Sequence, residues 1–435
     1  MTAVCVDGYN LALPKGSGIA TYARSTLSAI SALGLDREIL HGPLGPTGRD
    51  RLLDESLIGD ARWRLKTLAE PLSNRRVQAA LARFGRTAHR VEPSGQVLWP
   101  DGALPEADAF WLSQDLYRIA GRAFSDHRVV TPVRFDPVDS APAVMHWTQP
   151  SPLRARGAAN IYTLHDLISL KLPHTTLDDK ARVHDLLRRV VAEADHLVAV
   201  SEATRRDATE LLGVSPDRIT VTGQAFDLPP GALDRPDDDC AVELNSTFAL
   251  DWQGYFLFFG AVEPKKNLGR LVEAYLQSGV TAPLVVVGAR AWMADDEVGF
   301  LESLIAEGVG AGRRLHRYDH LPRNLLMTLV RGARAVAFPS LYEGFGLPAL
   351  EAMALGAPVL ASTGGALPEV VGDAALLADP YDVEDIARTI RRIDADADLR
   401  QDLSARGRRR AGLFSPQAYA DRLGAVYRQL GVTLP

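Results

Sequence analysis

Short apolar runs alternate with amphipathic stretches along this chain, and the alternation stops once and then restarts. Residues 4–6 read as a strand leading into a helix over 19–32. Residues 196–200 read as another strand. Ser201 after them suits a helix cap, and the helix it opens ends near Gly213. Residues 218–222 form the next strand. This βαβ rhythm implies parallel sheets covered by helices. It breaks at 228–239, a Pro- and Asp-rich stretch that reads as a linker or hinge surface. It resumes with strands at 255–259, 284–287, 333–338 and 358–361, and with helices from about 268 and near 324–331. Each half therefore holds an α/β, doubly wound, Rossmann-like unit. Such sheets bind ligands beyond the carboxyl ends of their strands, so two of them facing each other make a cleft.

A chain of 435 residues is long for one core, since single cores stop growing at roughly 250–300 residues. The expected division is 1–228, a linker at 229–252, 253–412, and a closing segment 413–435. In the last, Tyr419, Leu423, Val426 and Leu430 recur at helical spacing. No apolar run approaches the roughly 20 residues a membrane span needs. The first residues lack the basic-then-apolar pattern of a leader, so none is expected. Cys5 and Cys240 are too few for a disulfide framework and lack metal-ligand spacing, which fits a reducing cytoplasm. A net charge of −6 gives no general attraction to nucleic acid.

The stretch from Ser340 to Glu351 carries the most chemistry. A buried strand leads into it. Glu343 and Glu351 bracket the turn Gly344-Phe345-Gly346, which opens a short helix with Pro348 in its first turn. Gly344 and Gly346 let the backbone approach a ligand closely. Free amides at such a helix start, from Gly344 to Leu347, favour an anion such as a diphosphate. The two carboxylates can accept hydrogen bonds from hydroxyls on either side of it, one from a sugar and one from a ribose. Glu351 is read into the first helical turn, where the macrodipole favours a carboxylate by about 0.3–1 kcal/mol. Taken alone it is a helix-start acid; the Gly-Phe-Gly context points to ligand contact. The Phe345 ring is read as filling the underside of the loop.

Lys265 and Lys266 stand between a strand and a helix, where lysines suit a departing diphosphate; on an ordinary loop they would be solvated surface cations. His165 and Asp166 follow the apolar run 161–164, again at a strand's carboxyl edge. Gly16 and Gly18 flank Ser17 in a loop that opens a helix. With Glu38 some twenty residues on, they offer a dinucleotide reading, but Thr21 stands where a third glycine or alanine belongs. Contact with a donor phosphate or an acceptor is preferred. Gly364, Gly365 and Glu369 follow a strand and fit either a cleft lining or a plain turn. The acidic pairs at 178–179 and 295–296 read as solvated, and no metal is expected. The segment 61–90 is basic, with Val77, Leu81 and Phe84 at helical spacing. It reads as an ordinary packed helix or as a contact with an anionic membrane surface.

The segment from Glu343 to Glu351 resembles the E-x7-E signature of family-four retaining glycosyltransferases, which have the GT-B fold, and the bacterial mannosyltransferase-like subgroup in particular. The resemblance runs through nearly the whole chain. Asp7-Gly8-Tyr9-Asn10 with the segment 16–22, Tyr162 to Leu167, Ser201 to Asp207, Gly260 to Asn267, Gly364 to Val370 and Phe414-Ser415 follow in the family's order. It implies that Glu351 binds the ribose, that Glu343 faces the donor sugar, and that Lys266 binds the diphosphate. It implies that His165 contacts the donor sugar at the reacting centre. Catalytic roles fall on His165, Glu343 and Lys266. Donor binding falls on Gly16, Gly18, Lys265, Lys266, Glu343, Gly344, Phe345, Gly346, Leu347 and Glu351. Ala261 stands where many members carry an arginine, which leaves Lys265 or another residue to supply a second positive charge. The last helix would cross back onto the N-terminal half. The activity implied is hexosyl transfer from a nucleotide diphosphate sugar, with GDP-mannose preferred, to a saccharide or lipid-linked glycan in surface polysaccharide synthesis. No cofactor or metal is needed in that reading. A nucleotide-sugar isomerase or hydrolase on the same fold, and a non-catalytic sugar-nucleotide-binding protein, stay open beside it.

Overall fold

The computed structural model describes residues 2–12, 18–43, 47–48, 50–58, 72–98, 106–226, 228–308 and 310–435. Gly16 and residues 61–71 of the basic segment lie outside them. The first sheet holds ten strands: β1 (Ala3–Asp7), β2 (Asp36–His41), β3 (Arg86–Val91), β4 (Ala109–Leu112), β5 (Thr131–Asp136), β6 (Val144–Trp147), β7 (Leu153–Ala155), β8 (Ala159–Leu164), β9 (His196–Ala199) and β10 (Ile219–Val221). Their order across the sheet is β10-β9-β8-β6-β1-β2-β4-β3-β5-β7. All pairs are parallel except β3 with β4. The reversal turns β3, β5 and β7 away, so only β10 through β4 send their carboxyl ends to one edge. The second sheet is wholly parallel, in the order β13 (Leu315–Tyr318), β12 (Leu284–Val287), β11 (Phe256–Phe259), β14 (Ala335–Phe338), β15 (Val359–Ser362) and β16 (Ala375–Ala378).

These strands are buried on both faces, which is why they read as continuous apolar runs. In β1, Val4 and Val6 join Tyr22 and Ile30 of the helix Gly18–Ala32, while Cys5 joins Trp111, Trp147 and Tyr162 on the other face.

The Pro- and Asp-rich break is not open chain throughout. Asp237–Phe248 forms a helix with three aspartates in its first turn, where the macrodipole favours them. Cys240, Leu244 and Phe248, spaced by four, form its buried stripe. Leu244 and Phe248 share a core with Tyr255 and Leu257. The last helix, Pro416–Gln429, packs against the first half. The Tyr419 hydroxyl lies 2.9 Å from Thr26 Oγ1, and the Tyr427 hydroxyl 3.0 Å from His146 Nδ1.

Asp7 closes β1 and is fully buried. One carboxylate oxygen accepts the Thr148 amide, and among the described residues the other has no partner. Burial pushes its carboxyl up to about 6, against the hydrogen bonds from Thr148. A raised carboxyl pKa means the folded state holds the proton more tightly than the unfolded chain. Stability from this group is therefore intact below about pH 4 and is lost as pH rises through about 6. Asp7→Asn should remove that loss and stabilise the protein by roughly 1–3 kcal/mol at pH 7 while changing little at pH 4. Denaturant titrations of both proteins at the two pH values check this; parallel pH dependences would show that Asp7 is ionised without cost.

Candidate active site

The second sheet builds the site around one buried carboxylate. β14 ends at Phe338, and Pro339 and Ser340 carry the chain into the loop that holds Glu343. Glu343 is 9% exposed. Its Oε1 accepts hydrogen bonds from Lys266 Nζ at 2.6 Å and from Ser340 Oγ at 2.7 Å. Burial alone would raise this carboxyl. The charges of Lys266 and Lys265 and the two hydrogen bonds outweigh burial and hold it below the usual range. Lys265 also ion-pairs with Glu263 at 3.4 Å. Burial works against its charge, while Glu343, Asp166 and Glu263 raise its pKa. Both lysines follow β11, which neighbours β14. Asn267 ties the two strand ends together, donating to the carbonyls of Pro339 at 2.9 Å and Pro380 at 2.8 Å.

The loop leads into the helix Leu347–Ala354, whose start no side chain caps among the described residues. Its first amides are left without a side-chain acceptor, the arrangement that receives anions. Gly344 must be glycine for a steric reason: a Cβ there would stand 2.3 Å from the His165 carbonyl oxygen. The loop of the second half thus lies directly on the β8 end of the first.

His165 is held as a neutral ring. Its Nε2 lies 2.8 Å from the Thr148 carbonyl and so carries the proton; the Gln224 amide faces Nδ1 at 3.4 Å. Burial lowers its pKa, outweighing the Thr148 hydrogen bond and the Asp166 charge. Tyr22 packs edge-on at 4.9 Å between centroids. Thr204, in the first turn of the helix Glu202–Leu212, donates to the carbonyls of His165 at 3.0 Å and Gly344 at 3.4 Å. Ser201 caps that helix through the Thr204 amide, as the sequence predicts.

The structure therefore gathers His165, Lys265, Lys266, Glu343 and Gly344 at one place. Glu351 is a correction. It lies beyond the first turn of its helix, so the macrodipole does not account for it. It lines a small apolar cavity with Leu228, Pro229, Phe259 and Arg323, and Arg323 reaches it at 3.4 Å. Burial raises its pKa and Arg323 opposes that. The Phe345 ring turns inward, edge-on to Phe414 at 5.6 Å, which leaves only its main chain for a ligand. Gly346 is the N-cap residue and Leu347 the first residue of the helix. Gly18 opens the helix Gly18–Ala32.

The dinucleotide reading fails on Glu38, whose carboxylate is taken by Trp111 Nε1 at 2.7 Å and by Arg90 at 3.3 Å within the sheet. Asp179 caps the helix Lys180–Glu193, Asp178 accepts from Ser169, and Asp295 pairs with Arg290. Gly364 and Gly365 lie beneath the Glu343 loop: a Cβ on Gly365 would meet the Glu343 carbonyl oxygen at 2.3 Å. Thr148 and Gln224 were not singled out from the sequence, and Ser340 and Asn267 stood in quoted segments without a role of their own. The first three sit just beyond strands, and that position was the available signal. Among the described residues no helix is long and apolar enough to cross a membrane.

Residues 16–228 match the model of Glycosyltransferase Family 4, and residues 247–410 match that of Glycosyl transferases group 1. The chain is 35% identical over 260 residues to the O-antigen chain mannosyltransferase B of Escherichia coli, covering 59% of this chain and 66% of that protein. It is 33% identical over 250 residues to the MMP α-(1→4)-mannosyltransferase of Mycolicibacterium hassiacum, covering 56% of each. The matches thus span less than two thirds of these relatives. Among solved structures, sucrose-phosphate synthase from Thermosynechococcus elongatus superposes with a TM-score of 0.62 at 18% identity over 99% of both chains. The chain belongs to the family-four glycosyltransferases and has their GT-B fold.

Proposed function

We propose that this protein transfers a hexosyl unit from a nucleotide diphosphate sugar, GDP-mannose by preference, to a saccharide or lipid-linked glycan, with retention at the anomeric carbon. The observation that carries the reading is the Lys266–Glu343 pair at 2.6 Å, joined by the charge of Lys265 and set beside an uncapped helix start and the His165 strand end. Lys266, Lys265 and the amides from Gly344 to Leu347 would receive the diphosphate, and no metal is called for. Glu343, released from Lys266 as the diphosphate takes up that cation, would accept from sugar hydroxyls. Glu351 would hold the ribose, and the side chain of Arg323, 66% exposed, can swing away from it.

In the reaction the acceptor oxygen bonds to the anomeric carbon on the face from which the diphosphate leaves. The sugar–phosphate bond breaks, and the acceptor proton passes to the departing phosphate oxygen. The preorganised cations stabilise the charge that develops there. His165 would line the sugar as a neutral ring and would not act as the base. The mannosyl preference draws on the two mannosyltransferase relatives, and the role in surface polysaccharide synthesis on the O-antigen one. Val77, Leu81 and Phe84 are each more than half exposed, with Arg83 over the Phe84 ring. They support contact with an anionic membrane at the cytoplasmic face, where a lipid-linked acceptor would lie.

A thermal-shift screen against GDP, UDP, dTDP, ADP and NAD, each with and without Mg²⁺, tests the reading. Stabilisation by one nucleoside diphosphate, unchanged by Mg²⁺, is expected. A response to NAD alone, or to none of the set, would sink it. Glu351→Ala should weaken binding of that nucleotide about tenfold, the scale of one charge-assisted hydrogen bond, and lower turnover with it. Unchanged affinity by calorimetry would move the ribose elsewhere. His165→Ala should lower kcat while nucleotide affinity stays within about threefold, a difference of under 1 kcal/mol. A large loss of affinity would instead put His165 against the base or phosphates.

A further inference from the structure

The Gly364-to-Val370 motif carries a glutamate, Glu369, that has no part in the donor site described above. Glu369 lies in the short helix Leu367–Val371 of the second half. Its carboxylate crosses to the first half. There Oε2 accepts the Glu202 amide and Oε1 the Ala203 amide, both at 2.9 Å. These are the first two amides of the helix Glu202–Leu212, and Ser201 Oγ takes the third at 3.0 Å. A carboxylate that accepts two amides at a helix start is favoured by hydrogen bonding and by the dipole together. Glu369 therefore caps, from the other half, the helix whose next residue, Thr204, holds the carbonyls of His165 and Gly344.

Glu369 is itself fixed from behind. Arg410 donates to the carbonyls of Glu369 and Val370, and its guanidinium lies 5.5 Å over the Phe414 ring. Phe414 opens the return segment toward the first half, and its carbonyl accepts the Phe226 amide at 2.8 Å. One turn further along the capped helix, Asp207 is buried and receives both the Tyr342 hydroxyl, from the Glu343 loop, and Lys171. Two side chains of the second half, Glu369 and Tyr342, thus grip one helix of the first.

We propose that Glu369 is a positioning residue: it locks the helix Glu202–Leu212 to the second half and so sets His165 against the Glu343 loop. Neither Glu369 nor the Glu202 and Ala203 amides is among the groups assigned to the donor, so losing this contact disturbs alignment between the halves rather than nucleotide binding within one. The kinetic part of this inference rests on the transferase reading; the structural part does not.

The test compares wild type with Glu369→Ala, Glu369→Gln and Thr204→Val. Hydrogen exchange read by mass spectrometry should rise for the amides of 201–204 and, together with them, for 340–347 across the cleft. GDP affinity by calorimetry should stay within about threefold in all three, while hydrolysis of GDP-mannose or transfer from it loses about tenfold or more in kcat, as expected for removing charge-assisted hydrogen bonds. Glu369→Gln keeps one acceptor oxygen and should fall between wild type and Glu369→Ala. Faster exchange confined to 201–204 with unchanged kcat would overturn the proposal. So would loss of GDP binding in parallel with kcat, which marks a general defect of the second half. Absence of GDP binding or turnover in the wild type would count against the transferase reading. The exchange result across the cleft would still decide the role of Glu369.

Discussion

Burying the Glu343 carboxylate is the constraint around which this structure is arranged. An isolated buried charge costs several kcal/mol, and it persists only where opposite charge and hydrogen bonds surround it. Here Lys266, Lys265 and Ser340 supply them. That requirement brings the end of β11 beside the end of β14, and Asn267 fastens the two. It also keeps two cations in a crevice that would otherwise repel them from each other. The pair is weak evidence for stability and stronger evidence for function, because a ligand with matching charge can exchange with one partner at little net cost.

The same logic of matched polar groups extends across the cleft. The helix Glu202–Leu212 presents amides that need acceptors, and Glu369 of the opposite half provides them. The Glu343 loop presents a tyrosine hydroxyl, and Asp207 receives it. Burial and the neighbouring aspartate raise the pKa of Tyr342, so the hydroxyl stays a donor. The close approach of Gly344 to His165 fixes how near the two halves stand. The two sheets are thus joined by specific polar contacts at the site and by one apolar cluster that runs through both halves, with Tyr22 and Ala203 of the first and Phe345 and Leu367 of the second.

Much of this was legible in the sequence. Parallel strands announce themselves as apolar runs because both faces are covered, and β1, β9, β11, β12 and β14 fall where those runs lie. Ser201 and Gly213 marked a helix correctly because capping chemistry is local. The helix Asp237–Phe248 was hidden by its aspartates, which resemble loop composition unless their place at a helix start is recognised. The helix position of Glu351 was misread by a turn because the helix begins directly after Gly346, at Leu347, which makes Glu351 its fifth residue. The reversed strand β3 lies between β4 and β5, but its sequence is mostly polar, with Arg86, Thr87, His89 and Arg90 among its six residues, and gives no apolar run to find.

The sequence by itself determined the two α/β units, the spacing of Glu343 and Glu351 around a glycine turn, and the placement of His165 and the lysines at strand ends. These follow from periodicity and local backbone chemistry, which act over a few residues. Only the tertiary structure decided which of those residues meet. That Glu343 pairs with Lys266, that His165 donates a hydrogen bond to the Thr148 carbonyl, and that Glu369 caps a helix 167 positions away are contacts between distant segments. They depend on strand order and on how two sheets face each other, and no local pattern encodes either.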